Sequence, residues 1–273
     1  MGETNSGDQG GEVAGGVPTH EFQWLERSEW MRPLLAGRVT QGRRPVKAPR
    51  VQDRSLRLRD IGRRMREDDG AVWFDEFGWV LCPYGLIGDH LWVREPFKVD
   101  FPHLKRADLR AAGLPSLAED RFRATICYKA TPGEWFTRDV HLSLRPAWSD
   151  APIEWRPSIH MPRWVCRLVL EVTRVRVSRV QNITDADALA EGIYGASKDG
   201  NLTKYGWDGL PWTDWTGTPR EAYALLWDSI NGKRDGGAYA WERNPWVWAI
   251  DWRPVQSPDA TISTPNHAVQ EAR

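Results

Sequence analysis

The chain is poor in the features that mark disulfide-stabilised, zinc-binding and membrane-spanning proteins. Its 273 residues include three cysteines, widely spaced and odd in number, so neither a disulfide framework nor a CxxC-type zinc site is indicated. No apolar run approaches the roughly 20 residues that a membrane-spanning helix needs. The N-terminal residues also lack the basic start and the apolar stretch of a signal peptide. We therefore expect a cytoplasmic protein without metal, cofactor or membrane partner.

Net charge is lacking as well, because 37 Lys and Arg balance 37 Asp and Glu. The distribution is uneven, however, since residues 38–66 contain eleven Lys or Arg against two acidic residues. A basic segment within a neutral chain indicates either a local anion-binding face or a solvated basic loop. The sequence alone leaves both interpretations open.

Apolar and aromatic residues are scarce at both ends of the chain. The Gly-rich residues 1–19 and the polar residues 254–273 cannot bury enough apolar surface to offset the entropy of ordering, so we predict two disordered tails. All 17 Trp lie within residues 20–253, which we predict to form a single domain.

Short alternating apolar runs predict a strand-rich core with few helices. The clearest strand signal is residues 166–180, and “SEWMRPLLAG” predicts a short helix with Ser28 as its N-cap. Thr184 with Asp187, and Thr218 with Glu221, have the spacing of capping boxes at the starts of two later helices. Many short strands without a βαβ rhythm predict an α+β fold, built as a small mixed β-barrel with short helices at its rim.

Four segments resemble, in the same order, proteins of the bacteriophage and prophage branch of the ASCH family, part of the PUA-like superfamily of small pseudo-barrels. They are “LLAGRVTQGRRPV”, “CPYGLIGDHLWVREPF”, the stretch from Trp155 to Ile193, and “LWDSING” followed by “NPWVWAIDW”. The resemblance covers most of residues 28–252 and implies a PUA-like barrel with an insertion at residues 98–150. It also implies a role in the bacterial host cytoplasm, binding RNA or DNA with a modified or unstacked base in the barrel pocket.

The resemblance further implies a site in the turn after the first helix, where the family carries G-x-K-x-x-E-x-R. Gly37 and Arg44 match this pattern, whereas Val39 and Gly42 replace its lysine and its glutamate. Relatives that remove an acyl group from N4-acetylcytidine have a lysine and a threonine at these two positions, and a glutamate for which Glu191 is the candidate here. Valine accepts no proton and glycine has no nucleophile, so we expect binding rather than deacylation. An enzyme acting on nucleic acid or nucleosides (a ribonuclease or an amidohydrolase) is the alternative, and a phage assembly scaffold is a third.

Arginine and aromatic residues near this turn and in two later segments are candidate nucleic-acid contacts. Guanidinium groups bind phosphate through paired hydrogen bonds, and aromatic faces stack unpaired bases. The candidate nucleic-acid-binding residues are Arg38, Thr40, Arg43, Arg44, Arg94, Arg156, His160, Arg163 and Trp164. Core packing is the alternative role for Trp164, and a hydrogen bond within its loop is the alternative for His160. Glu95 is expected to pair with an arginine.

Overall fold

A computed structural model describes residues 20–47, 72–75, 78–101, 121–144, 146, 152–198, 200 and 202–255. This part of the chain has a mixed α+β fold, as predicted, with helices α1 (Ser28–Leu35), α2 (Asp185–Ala190) and α3 (Pro219–Asn231). The strands are β1 (Glu21–Leu25), β2 (Gln41–Pro45), β3 (Val72–Asp75), β4 (Gly78–Leu81), β5 (His90–Arg94), β6 (Phe97–Asp100), β7 (Arg121–Tyr128), β8 (Trp135–His141), β9 (Val169–Arg179), β10 (Tyr194–Ala196), β11 (Lys204–Gly206) and β12 (Trp246–Val255).

A five-stranded sheet with the order β1-β5-β9-β12-β2 forms the centre of the molecule. Strands β1 and β5 are parallel, and the other neighbouring pairs are antiparallel. The longest pairing joins β9 to β12 along ten residues of β12, with a register shift between Asp251 and Trp252. Within the described residues, β1 and β2 remain the edges of this sheet and the strands do not close into a barrel. The predicted PUA-like barrel therefore stays a prediction.

Two hydrophobic cores cover this sheet and hold the helices in place. One core packs Met31 and Leu34 of α1 against Trp24, Trp248 and Ile250 of the strands. The other packs α2 and α3 against the end of β9 and the start of β12, with these buried members: Val180, Ile183, Ala188, Ile193, Ala222, Tyr223, Leu226, Trp227 and Val247. Trp30 contacts both cores, so the three helices lie around one region of the sheet.

Strands β6, β7 and β8 form a separate three-stranded antiparallel sheet from the segment predicted as an insertion. Its buried side chains, including Phe97 and Ile126, share a third core with Trp92 of β5 and Val169 of β9. The described part of residues 98–150 is therefore packed onto the central sheet.

The local helix signals are mostly confirmed. Both capping boxes form, at Thr184 with Asp187 and at Thr218 with Glu221. The prediction for Ser28 was wrong, because α1 begins at Ser28 itself and Arg27 occupies the N-cap position without a side-chain hydrogen bond.

The predicted C-terminal boundary was also displaced. Strand β12 continues past residue 253, and Pro254 and Val255 pair with Leu170 and Val169 of β9. The remaining residues of the two predicted tails, 1–19 and 256–273, lie outside the described residues, as does the basic stretch 48–66. None of the described helices has both the length and the apolar character needed to cross a bilayer.

Candidate functional site

A cavity of about 490 Å³ lies among β1, β2, α1 and α3. This volume is within the range of roughly 300–1,000 Å³ that is typical of small-ligand sites. Strand β2, which contains Arg43 and Arg44, forms one side of the cavity, and α3 forms another. The residues that line the cavity include Trp24, Glu26, Arg27, Val39, Gly42, Arg43, Arg44, Lys47, Tyr84, Glu191, Tyr223, Asn231, Arg234 and Trp252.

The chain reaches the cavity through the turn between α1 and β2, whose conformation depends on a glycine. Gly37 adopts a φ of +69°, a conformation that favours glycine, and it ends α1. The backbone N–H of Thr40 then donates to the carbonyl of Ala190 at the end of α2, and the N–H of Trp252 donates to the carbonyl of Thr40. These two bonds hold the start of β2 between α2 and β12.

The polar floor of the cavity consists of Glu191, Arg43 and Tyr223. One carboxylate oxygen of Glu191 accepts a hydrogen bond from Arg43, and the other accepts from the Tyr223 hydroxyl at 2.9 Å. Burial raises the pKa of Glu191, while the Arg43 charge and the Tyr223 hydrogen bond oppose that rise. Burial and the nearby Glu191 carboxylate raise the pKa of Tyr223 well above its ordinary value, so the hydroxyl stays protonated and donates.

A second layer of polar contacts supports Arg43 from behind. Its guanidinium also donates to Gln41 at 2.6 Å and to Asp187 at 3.1 Å. The Gln41 amide donates to Asp187 and Asp251, and Arg176 binds the same two carboxylates. Burial acts to raise the pKa of Asp187, but the Gln41 hydrogen bond and the charges of Arg43 and Arg176 lower it to about 2. The network ties α2 to strands β2, β9 and β12.

The cavity wall beside this floor is aromatic. The Arg44 guanidinium lies 3.9 Å from the centre of the Trp24 ring, and it donates to the carbonyl of Leu25. The Trp24 ring contacts Tyr84 and Trp252 edge-on, with ring centres 5.4 and 5.0 Å apart. Trp24 and Trp252 are 1% and 4% exposed, so the flat surface that remains partly exposed is the Arg44 guanidinium plane, on which an unpaired base stacks as on an aromatic ring.

Gly42 has no room for a side chain. A β-carbon there would lie 2.6 Å from the Trp252 ring and 2.8 Å from the Trp24 ring. The two rings therefore fill the space that a threonine nucleophile would need. Val39 is buried and aliphatic, and Thr40 is exposed and absent from the cavity lining. Residues 39 and 42 therefore provide neither a base nor a nucleophile.

The predicted nucleic-acid contacts Arg43 and Arg44 and the catalytic candidate Glu191 all line this cavity, but Arg43 is not placed to meet a ligand. Its side chain is 1% exposed and is bound to two carboxylates, so it supports the site and offers no surface to a phosphate. Arg38 is exposed and lines a separate small cavity of about 40 Å³ with Trp30 and Tyr194.

The other predicted contacts lie outside the cavity lining and have structural partners. Arg94 donates to the carbonyls of Ser158 and Ile159, so it secures the loop that carries Ser158 to the cavity rim. Arg163 forms a two-point ion pair with Glu21, at 2.8 and 2.7 Å.

The remaining candidates, Arg156, His160 and Trp164, also lie outside the cavity lining. Trp164 packs against the third core with its ring centre 6.3 Å from that of Phe101, which is the alternative role considered for it. The backbone of Arg156 bridges to Phe97, and His160 is exposed at the end of a short 3-10 turn.

Glu95 pairs with Arg167, as expected for a buried carboxylate. Arg167 donates to both of its carboxylate oxygens, at 2.7 and 2.9 Å, and the guanidinium lies over the ring of Tyr128. This pair lies away from the cavity lining and has a structural role.

Several residues of the site escaped sequence reasoning. Trp24 and Trp252 follow polar residues in alternating strands, and Tyr84 lies between a proline and a glycine in a turn, so core packing is the default interpretation of all three. Tyr223 lies on the apolar stripe of α3 beside Ala222, and nothing in its local pattern distinguishes it from a core residue. The one available signal was the alternation in β2, which puts Gln41 and Arg43 on the same face.

The chain matches no known protein family, no curated protein and no solved structure. The described residues also contain no group of three or more His, Cys, Asp or Glu placed to hold a metal ion.

Proposed function

We propose that this chain is a nucleic-acid-binding protein of the PUA-like, ASCH type that receives an unstacked base of RNA or DNA in the cavity beside β2. The observation that carries the proposal is the presence, in the lining of one cavity of small-ligand size, of a buried carboxylate, Glu191, and of the Arg44 guanidinium plane backed by Trp24.

The floor provides a way to recognise a base edge. Each carboxylate oxygen has two lone pairs, and Glu191 uses one on each oxygen for Arg43 and Tyr223. The remaining acceptor capacity suits an exocyclic amine, as on cytosine or adenine. Because Arg43 and Tyr223 already donate hydrogen bonds to the Glu191 carboxylate, it is oriented before a ligand binds.

Stacking on the cavity wall stabilises a bound base whatever its identity. The Arg44 guanidinium lies over the buried Trp24 ring and presents a flat, partly exposed surface, and unpaired bases stack on guanidinium planes as they do on aromatic rings. Deacylation is not part of the proposal, since positions 39 and 42 have neither base nor nucleophile. We expect N4-acetylcytidine to remain intact in the presence of the protein.

The proposal is tested by replacing Glu191 with Gln and measuring binding by isothermal titration calorimetry. The ligands are short single-stranded RNA and DNA oligonucleotides rich in cytosine or in uracil and thymine. We expect Glu191→Gln to weaken binding of the cytosine-rich strands about 10-fold or more, because the amide can turn its NH₂ group toward the amine. Glu171→Gln, on an exposed ion pair with Arg253, is the control and should bind as the parent does.

A loss of folding is distinguished from a loss of recognition by a second variant. Tyr223→Phe removes the hydroxyl that orients Glu191 but leaves the charge that balances Arg43. We expect it to weaken cytosine-rich ligands less than Glu191→Gln does while the thermal midpoint remains close to that of the parent. A parent protein that binds none of the strands, or a folded Glu191→Gln protein that binds as the parent does, would contradict the proposal.

A further inference from the structure

The cavity contains more positive charge than its own acidic residues balance. Five cationic side chains line it against two carboxylates, and both carboxylates are engaged. Glu191 binds Arg43, while Glu26 accepts from the Trp24 indole N–H and lies 3.7 Å from Arg44. The lining cations without a carboxylate of the cavity as partner are Arg27, Lys47 and Arg234.

Arg234 is the cation best placed to hold an anion. Its guanidinium donates to the neutral side-chain oxygen of Asn231 at 2.8 Å, and no described carboxylate forms an ion pair with it. Only part of its set of five N–H donors is used by this bond. Arg234 is an exposed residue of the cavity lining, and a guanidinium with spare donors at such a position matches the geometry of a phosphate group.

Helix α3 separates two polar ends of the cavity. Tyr223 in its second turn donates to Glu191, whereas Asn231 at its last residue accepts a hydrogen bond from Arg234. The eight residues from Tyr223 to Asn231 span about 12 Å along the helix axis.

Arg44 and Tyr84 contact the same aromatic ring. The Arg44 guanidinium is 3.9 Å from the centre of the Trp24 ring, and the centre of the Tyr84 ring is 5.4 Å from it. The positive charges of Arg44 and Arg234 also oppose the rise in the pKa of Tyr84 that burial causes.

We propose that the cavity takes its ligand as a nucleotide, with a phosphate group bound by Arg234 and Arg44 beside Tyr84 while the base meets Glu191. This inference rests on the proposed base-binding function and adds the chemical class of the ligand. Tyr84 lines the same cavity, and its hydroxyl is a neutral group able to donate to the phosphate. Arg27 and Lys47 add positive charge at the lining and favour the entry of an anion.

The same phosphate chemistry occurs in a free nucleotide and in a nucleotide within a strand. Titration calorimetry at low salt with cytidine, its 5′-monophosphate, its 3′-monophosphate and a short cytidine oligonucleotide separates the two sources. A monophosphate that binds as tightly as the oligonucleotide identifies a free nucleotide as the ligand. An oligonucleotide that binds more tightly than both monophosphates identifies a strand.

The phosphate site itself is tested by Arg234→Gln. We expect at least one monophosphate to bind the parent about 10-fold more tightly than cytidine, because charge-assisted hydrogen bonds form only with the phosphate. Arg234→Gln should remove most of that difference and leave cytidine binding unchanged. Arg253→Gln makes the same change of charge on an exposed side chain outside the cavity lining and should retain the full difference.

Two failures are distinguishable. If cytidine or the oligonucleotide binds but neither monophosphate exceeds cytidine, or if Arg234→Gln retains the difference, the phosphate site is wrong and the base site stands. If nucleoside, nucleotides and oligonucleotide all fail to bind the parent, the proposed function itself is overturned.

Discussion

At the scale of single residues, Arg43 is a side chain that the local sequence predicts to be exposed and that tertiary contacts bury. It follows Gln41 and Gly42 in a basic turn, yet it is 4% exposed because β2 pairs with β12 and α2 covers it. Burial of a guanidinium is tolerated only when carboxylates neutralise it, and Glu191 and Asp187 do so here. Arg44, the next residue, alternates to the partly open side and contacts Trp24.

Asp187 makes stability depend on acidic pH. Its pKa falls from an ordinary 3.8 to about 2 in the folded protein, where Gln41, Arg43 and Arg176 surround it. Because the folded pKa is the lower one, the stabilising effect is complete above about pH 4 and disappears as the pH falls toward 2. We expect Asp187→Asn to lower the free energy of unfolding at pH 7 by about 1–2 kcal/mol, the size of the pKa shift discounted for partial exposure.

Urea unfolding at pH 7 and at pH 2.5 measures this effect. The difference between parent and Asp187→Asn should shrink at the lower pH, since at pH 2.5 the carboxylate is protonated in the unfolded chain and has begun to be protonated in the folded one. Asp214→Asn, on an exposed turn, is the matched control. A difference that persists undiminished at pH 2.5 would show that the charge of Asp187 is not its source.

At the scale of elements, α3 carries Tyr223 to the cavity floor and depends on a well-formed start. The Thr218 hydroxyl accepts the N–H of Glu221, and the Glu221 carboxylate accepts the N–H of Thr218. Pro219 stands at the first helical position, where its missing N–H is not needed. The position of Tyr223 in the second turn of the helix therefore depends on a local cap.

We expect Thr218→Ala to reduce the free energy of unfolding by about 1 kcal/mol through loss of this cap. The measurement is the midpoint of chemical unfolding, with Thr213→Ala as control because the exposed Thr213 hydroxyl donates to the adjacent Asp214 side chain and does not cap a helix. Equal effects of the two substitutions would mean that the capping box contributes nothing specific.

At the scale of the whole molecule, the two larger sheets are joined by a shared core and by one buried ion pair. Glu95 lies between β5 of the central sheet and β6 of the three-stranded sheet, and Arg167 lies just before β9. Burial raises the pKa of Glu95, while the Arg167 hydrogen bonds and charge oppose that rise. Removing one partner would leave a buried charge unpaired.

We expect Glu95→Ala to cost about 3–5 kcal/mol of unfolding free energy. Because the third core includes Trp92 and Val169 of the central sheet, unfolding should remain one cooperative transition, with tryptophan fluorescence and far-ultraviolet circular dichroism changing together. Glu171→Ala breaks an exposed ion pair and should cost under about 1 kcal/mol. Separate transitions for the two signals would show that the sheets unfold independently.

What the sequence determined by itself is local. The capping boxes at Thr184 and Thr218, the glycine turn at Gly37 and the strand within residues 166–180 follow from hydrogen bonds and side-chain alternation over a few positions. Such patterns are readable because the interacting groups are close neighbours along the chain. The side chains of Val39 and Gly42, which provide neither a base nor a nucleophile, can likewise be read directly from the sequence.

The tertiary structure alone decided which of these residues meet. Arg43 and Glu191 are 148 positions apart, and the Trp252 ring over Gly42 comes from the last described strand. Neither contact follows from local periodicity, because both depend on the order β9-β12-β2 and on α2 closing over that edge. The sequence therefore determined the elements and the chemical types of the side chains, while long-range strand pairing decided that Arg43 is buried and that Arg44 faces the cavity.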